Sequence, residues 1–385
     1  MYHLLLALIY LSFVSLGLPD GLLGAAWPSM YGELDVPVSY AGIISIIICA
    51  GTIVSSLMSD RMTHKFGSGK VTAISVALTA LALLGFSVSD RFWMLCIWAV
   101  PYGLGAGSVD ASLNNYVALH YSSRHMSWLH CMWGVGASTG PYIIGFVLTA
   151  GAHWEGGYLI VAVLQVVLTF ILIISLPLWN TAQTSDSAPS IPPLSLRQVW
   201  RTPGAREVMT TFFCYCALEQ TAALWSGSYL SLYAGLSEEA SASFASLFFL
   251  GITAGRAVSG FVTMKLNDMQ MIRLGFCIIA AGIAVLLLPL GTIGAMTGLM
   301  MVGLGCAPIY PCIMHSTPGH FGAERSQAIM GVQTASAYVG TALMPPLFGL
   351  IASHISISWM GYYLLALLVI MVFCYNRLTR KCPPA

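Results

Sequence analysis

A dozen apolar stretches, each close to 20 residues long and parted by short polar breaks, constrain this chain more than any other feature. An α-helix of about 20 residues spans the hydrocarbon of a bilayer. The stretches run over about 4–30, 38–58, 71–89, 93–119, 127–150 and 158–178, then about 205–235, 240–262, 271–290, 292–315, 326–352 and 357–376. Charged residues make up 8% of the chain, against roughly 25% in a soluble domain, so no water-facing surface can be built from it. The expected fold class is an all-α membrane protein of twelve transmembrane helices, with the lipid bilayer as its main solvent.

The stretch 180–204 interrupts the apolar pattern with Ser, Thr and Pro, including Thr184, Ser185, Ser187, Pro189, Pro192 and Pro193. It reads as a mobile linker between an N-terminal six-helix bundle (1–179) and a C-terminal one (205–385). Thirteen of the 15 Lys and Arg residues fall on one set of loops and the C-terminal tail, Arg91 alone lies on the other set, and Arg256 lies within a span. Cytoplasmic loops carry the basic excess, which puts both termini and the linker in the cytoplasm. The expected location is a plasma membrane, in a bacterium the inner membrane. The first stretch lacks a basic leader and a small-residue cleavage signature, so it reads as a retained span.

The two halves repeat at an offset of 200 residues: Gly103-Leu104-Gly105 matches Gly303-Leu304-Gly305, Gly51 matches Gly251 and Gly140 matches Gly340. Parallel repeats of this kind build transporters with a substrate site where the repeats meet. Neither a channel nor a receptor predicts the duplication.

Polar residues inside spans carry the functional signal, since a carboxylate near the bilayer centre costs about 2.5–3.5 kcal/mol. In the fourth span Gly103, Gly107, Asp110 and Asn114 share one helical face, with two glycines for close helix approach and an acid and an amide behind them. In the first span Asp20 sits between Pro19 and Gly21, where a broken helix can free backbone groups, and Trp27 follows. In the seventh span Glu219, Gln220 and Trp225 join acid, amide and indole, a set suited to a polyol: the polar groups bond hydroxyls and the ring covers a sugar's C–H face. Gln333 and Tyr338 in the eleventh span and Tyr310 in the tenth are further lining candidates. In the fifth span Gly136 and Gly140 form a close-packing pair ending in Pro141, and His130 reads as a structural histidine or a proton relay. Arg256 reads as a structural or gating charge, as do Asp60 and Arg61 in the charged turn 59–67.

These motifs resemble the major facilitator superfamily over the full chain. Asp60-Arg61 followed by Lys65-Phe66-Gly67 is similar to that family's loop G-x-L-a-D-r-x-G-r-k, with Ser56 in place of the first Gly. His130 with Trp133-Gly134-Val135-Gly136 and Gly140-Pro141 resembles its fifth-span pattern F-G-x-G-x-x-x-G-P, with Trp for Phe. Within the family the fucose-permease-like proton-coupled sugar transporters are the group most resembled. Asp20 and Asp110 resemble that group's pair of membrane carboxylates, Asp110 standing in place of a glutamate and followed four residues on by Asn114. Glu219 and Trp225 resemble the acid-and-Trp seventh span of related sugar members.

The expected function is therefore a secondary active transporter that moves a monosaccharide or similar small polyol with a proton, by alternating access. Asp110 and Asp20 would couple to the proton; Asn114, Glu219, Gln220, Trp225, Trp27 and Gln333 would bind substrate. Sodium could replace the proton, because a carboxylate beside freed carbonyls binds either. The alternative is a proton-driven exporter of drugs or metabolites, for which Gly136, Gly140, Pro141 and 19 methionines would serve. No nucleophile–base pair and no metal-ligand spacing among the ten cysteines points to an enzyme or a cofactor. A net charge of +1 points away from nucleic acid, and a monomer is expected to function.

Overall fold

The computed structural model describes residues 2–183 and 193–383. Ten segments are helical, long and apolar enough to cross a membrane: Leu4–Glu33, Val38–Phe66, Ser68–Ser87, Phe92–His120, Ser123–Thr149, Trp154–Trp179, Asp268–Leu287, Gly291–Phe321, Ala323–His354 and Ile357–Lys381. Helices Ala205–Leu232 (28 residues) and Glu238–Val262 (25 residues) are also long enough at 1.5 Å rise per residue. The described residues thus fit a count of twelve spans, and the chain is a multi-pass, all-α membrane protein. Large apolar side chains left outward on the sixth span, among them Phe170 at 63% and Ile174 at 78% exposure, are what a lipid-facing surface requires.

Residues up to Tyr116, together with Leu129–Leu194, form one compact unit; Val117–Trp128 and the residues from Ser195 onward form a second. In the second unit the Ser123 hydroxyl donates to Asp268, whose other oxygen meets His315 Nδ1 at 2.6 Å. The expected linker 180–204 lies partly outside the described residues. Its described end departs from a plain loop: Leu196–Arg201 is a short helix whose Ser195 hydroxyl accepts the Gln198 N–H while the Gln198 side chain accepts the Ser195 N–H. That reciprocal cap satisfies two otherwise orphaned helix-start donors. The charged turn expected over 59–67 is also shorter than anticipated. The second span runs helical to Phe66, and the chain turns at Gly67, whose φ of 78° few other residues adopt. His64 and Lys65 in the last helical turn complement the negative helix end.

The fourth-span glycines act as the sequence implies. A Cβ on Gly103 would strike the Ile48 carbonyl, and one on Gly107 the Thr52 carbonyl, so the second span lies against that stripe backbone to backbone. The internal repeat is physical as well. A Cβ on Gly105 would come to 2.7 Å from the Ser75 carbonyl oxygen, and one on Gly305 to 2.8 Å from the Gly275 carbonyl oxygen. Gly105 and Gly305 are 200 residues apart, and so are Ser75 and Gly275.

Gly136 and Gly140 form the seam between the fifth and first spans, where Cβ atoms would strike the carbonyls of Val14 and Leu18. Gly136→Val is expected to destabilise the protein by about 1–3 kcal/mol, the usual effect of overpacking. Gly145→Ala, where a Cβ would meet nothing within 4 Å, should leave the melting temperature unchanged; thermal unfolding in detergent checks both.

Candidate functional site

The first span is two helices, Tyr2–Gly17 and Leu22–Glu33. The break falls at Pro19, which has no N–H to give the carbonyl four residues back. Asp20 N–H turns instead to Gly17 O at 3.0 Å. Asp20 stands on this bend with an exposed side chain. Trp133 Nε1 donates to its Oδ2 at 2.9 Å, and the Tyr102 hydroxyl donates to its Oδ1 at 3.2 Å. The glycine seam makes the first contact possible: a Cβ on Gly17 would collide with the Trp133 carbonyl, so only a bare residue there lets the indole reach position 20. Pro141 lies on the other side of the bend, its Cγ 2.7 Å from where a Gly21 Cβ would sit.

Asp110 is buried in the same unit, 5% exposed, with Asn114 at 0% and His130 at 5%. The Asn114 Nδ2 donates to Asp110 Oδ1 at 2.9 Å and to the Asp110 carbonyl at 2.9 Å. Its Oδ1 lies 2.9 Å from His130 Nε2. With the amide donating to the carboxylate, its oxygen is left to accept, so the imidazole presents an Nε2–H to it. Carboxylate, amide and imidazole thus form one hydrogen-bonded chain through the apolar interior, and the Phe13 ring meets the imidazole edge-on with centroids 5.4 Å apart. Such a chain can accept or release a proton and pass the change along its length.

In the second unit the seventh span, Ala205–Leu232, is one unbroken helix. Glu219 Oε1 lies 3.4 Å from Arg256 Nη2, with side-chain exposures of 12% and 4%. The Tyr215 hydroxyl, one turn back, donates to the other carboxylate oxygen and lies 3.0 Å from the Cys306 carbonyl. Tyr310 places its ring beside this group, 6.1 Å from Tyr215 and 4.6 Å from Phe212. Arg256 is thereby a buried counter-charge to Glu219. Gln333 is fully buried; its Oε1 accepts from the Thr317 hydroxyl at 3.2 Å, while its Nε2 has no acceptor among the described residues.

The remaining expected site residues have the following surroundings. Trp27 is 6% exposed in the apolar core of the first unit and donates its indole to the Val38 carbonyl at 2.7 Å. Trp225 donates to the Pro345 carbonyl at 3.0 Å and packs edge-on against Phe348; the N–H of each indole is thus taken by neighbouring backbone. Gln220 is half-buried beside Glu219. Asp60 accepts the Leu194 N–H at 3.0 Å and so ties down the described end of the linker, while Arg61 is exposed. Glu33, His153 and Glu155 gather ligand atoms within 4.8 Å of one another, but Glu33 is held by Trp154 Nε1 at 2.8 Å and His153 is 78% exposed. Glu33 and His153 are exposed and Glu155 is half-buried.

Three residues at these sites were not singled out from the sequence for a role: Tyr102, Trp133 and Tyr215. Tyr215 was within reach, since it precedes Glu219 by four residues and so shares its face. Tyr102 and Trp133 reach Asp20 from other helices, and periodicity along one helix says nothing of which helix is its neighbour.

The family model described as Major Facilitator Superfamily matches residues 9–332. The chain is 24% identical over 279 residues to Bypass of stop codon protein 6 of Saccharomyces cerevisiae, a match covering 66% of this chain and 56% of that protein, so it spans little more than half of that relative's length. It is 21% identical to the glucose/mannose transporter GlcP of Bacillus subtilis, over 78% of this chain and 77% of that one. Among solved structures, the E. coli fucose:proton symporter FucP in an N162A form superposes with a TM-score of 0.75 at 17% identity, covering 98% of each chain. At that identity the likeness is one of fold.

Proposed function

The chain belongs to the Major Facilitator Superfamily, and on that premise we propose that this transporter carries a monosaccharide or similar small polyol together with a proton. The observation that carries the reading is the pairing, inside the first unit, of two unlike carboxylates. Asp20 is exposed and flanked by an indole and a phenol, which suits hydroxyl groups and a C–H face. Asp110 is buried and joined through Asn114 to His130, which suits a group that loads and unloads a proton. The sugar transport named for GlcP and the proton symport named for FucP support the same reading. Gln333 adds an open buried donor, which a bound hydroxyl would satisfy.

The two six-helix bundles are the moving parts of the proposal, exchanging access between the two sides while Asp110 holds or releases the proton. One elementary charge moving with the potential is worth about 2.3 kcal/mol per 100 mV, or roughly a fiftyfold concentration ratio. The test is uptake in proteoliposomes. Labelled monosaccharides are expected to accumulate when the lumen is made alkaline and to equilibrate without a gradient. Accumulation driven by sodium alone would replace the proton in this scheme, and gradient-driven expulsion of a lipophilic cation with no sugar uptake would make the protein an exporter.

A further inference from the structure

The bend that presents Asp20 has a partner in the sixth span. Pro19 cannot donate to the Ser15 carbonyl, the acceptor four residues back. A backbone carbonyl left unpaired inside a membrane protein costs free energy. In this structure Gln165 Nε2 donates to that carbonyl at 2.8 Å. Its own Oε1 lies 2.6 Å from the Thr79 hydroxyl, which is also 2.9 Å from the Val76 carbonyl; an acceptor facing that hydroxyl leaves the amide's donor for Ser15. Gln165 is 1% exposed and Ser15 5%, so bulk solvent reaches neither. The sixth span is otherwise among the most apolar segments of the chain, with a mean hydropathy of 3.0 over its central window, and a glutamine there is costly unless both ends of its amide are used. Here both ends are bonded.

The second half supplies a contrast. Its seventh span runs unbroken and contains no proline, and its last span, Ile357–Lys381, contains no glutamine. The helix-breaking proline and the glutamine that answers it are present together in one half and missing together in the other. Beside the bend, Ser12, Ser15, Pro19, Tyr102 and Gln165 line a cavity of about 10 Å³, room for one water. The amide thus meets the polar side of the break, and Asp20 is bonded by Trp133 and Tyr102.

We infer that Gln165 is the positioning residue of Asp20: from the sixth span it supplies the hydrogen bond that Pro19 withholds from the Ser15 carbonyl, and so holds the bend that aims the carboxylate. The inference rests on the reading of Asp20 as a transport residue for its functional half only. Its structural half stands on the Pro19–Ser15–Gln165 geometry.

Gln165→Leu, Pro19→Ala and the double variant test it. Gln165→Leu is expected to lower the melting temperature by about 2–5 °C, the effect of orphaning one buried carbonyl. Pro19→Ala in that background should return most of the loss, because an alanine brings an N–H to the same carbonyl. In uptake, Gln165→Leu should raise the KM for the monosaccharide about tenfold, the effect of one lost or misaligned hydrogen bond, with a smaller change in maximal rate. The double variant should regain stability but not KM, since the bend under Asp20 is gone. If Gln165→Leu costs as much stability in the Pro19→Ala background as in the parent, Gln165 is a packing residue and the inference fails. An unchanged KM in a folded Gln165→Leu protein overturns the positioning role. Should Gln165→Leu fail to fold, Thr79→Val, which loosens only the other end of the amide, gives the same comparison at smaller amplitude. Melting needs no substrate, so it judges the role of Gln165 separately from whether the solute is a sugar.

Discussion

Replacing Asp110 by Asn should abolish concentrative uptake while sparing exchange. The variant is nearly isosteric, so the Asn114–His130 hydrogen bond at 2.9 Å can persist and the buried packing around position 110 is kept. What is lost is the group that changes charge. A transporter whose coupling site is fixed neutral can still bind solute and cycle loaded, so counterflow of preloaded sugar should run at near the parent rate. Uphill accumulation should fall from the roughly fiftyfold available per 100 mV to a ratio near unity. Both are read in the same proteoliposomes. Concentrative uptake at the parent level by Asp110→Asn would remove Asp110 from the coupling role, and loss of counterflow as well would mark it as a binding residue.

The second large effect is expected at the ion pair in the other unit. Removing Arg256 as Arg256→Leu leaves Glu219 with a buried, uncompensated charge, and breaking a buried pair in this way costs about 3–5 kcal/mol. The Tyr215 hydroxyl still donates to the carboxylate, which moderates the loss without cancelling it. Glu219→Leu with Arg256→Leu should recover most of the stability, because an apolar pair of similar volume is often neutral against a buried ion pair. The double-variant cycle in thermal or denaturant unfolding measures the coupling directly. A coupling energy near zero would mean that the 3.4 Å contact contributes nothing. Transport by the stable double variant then tells whether Glu219 also serves the solute: retained uptake makes it architectural.

Much of the architecture was legible from hydropathy because spanning length is a strict requirement of the bilayer. The twelve spans, the bend at Pro19, the glycine stripe of the fourth span and the 200-residue repeat are properties of single helices or of residue spacing. The neighbours were not legible. That the Trp225 N–H would meet the Pro345 carbonyl, or that Trp133 would reach Asp20 from the fifth span, cannot be read from spacing along one helix. Gln165 is the sharpest case. A lone glutamine in an apolar helix and a proline 146 positions earlier give no sign in one sequence that they answer each other. The charged turn at 59–67 was misjudged for a different reason: Ser, Asp, Arg and His read as loop by polarity, but a helix leaving the membrane tolerates them until a glycine with positive φ ends it.

The contact between Glu219 and Arg256 has an electrical consequence. A plus and a minus held 3.4 Å apart sum to nothing, so displacing the two together along the membrane normal does no work against the voltage. Whatever gating current the protein generates should therefore originate elsewhere. Capacitance recordings in which Glu219 and Arg256 have been replaced together should superimpose on those of the parent.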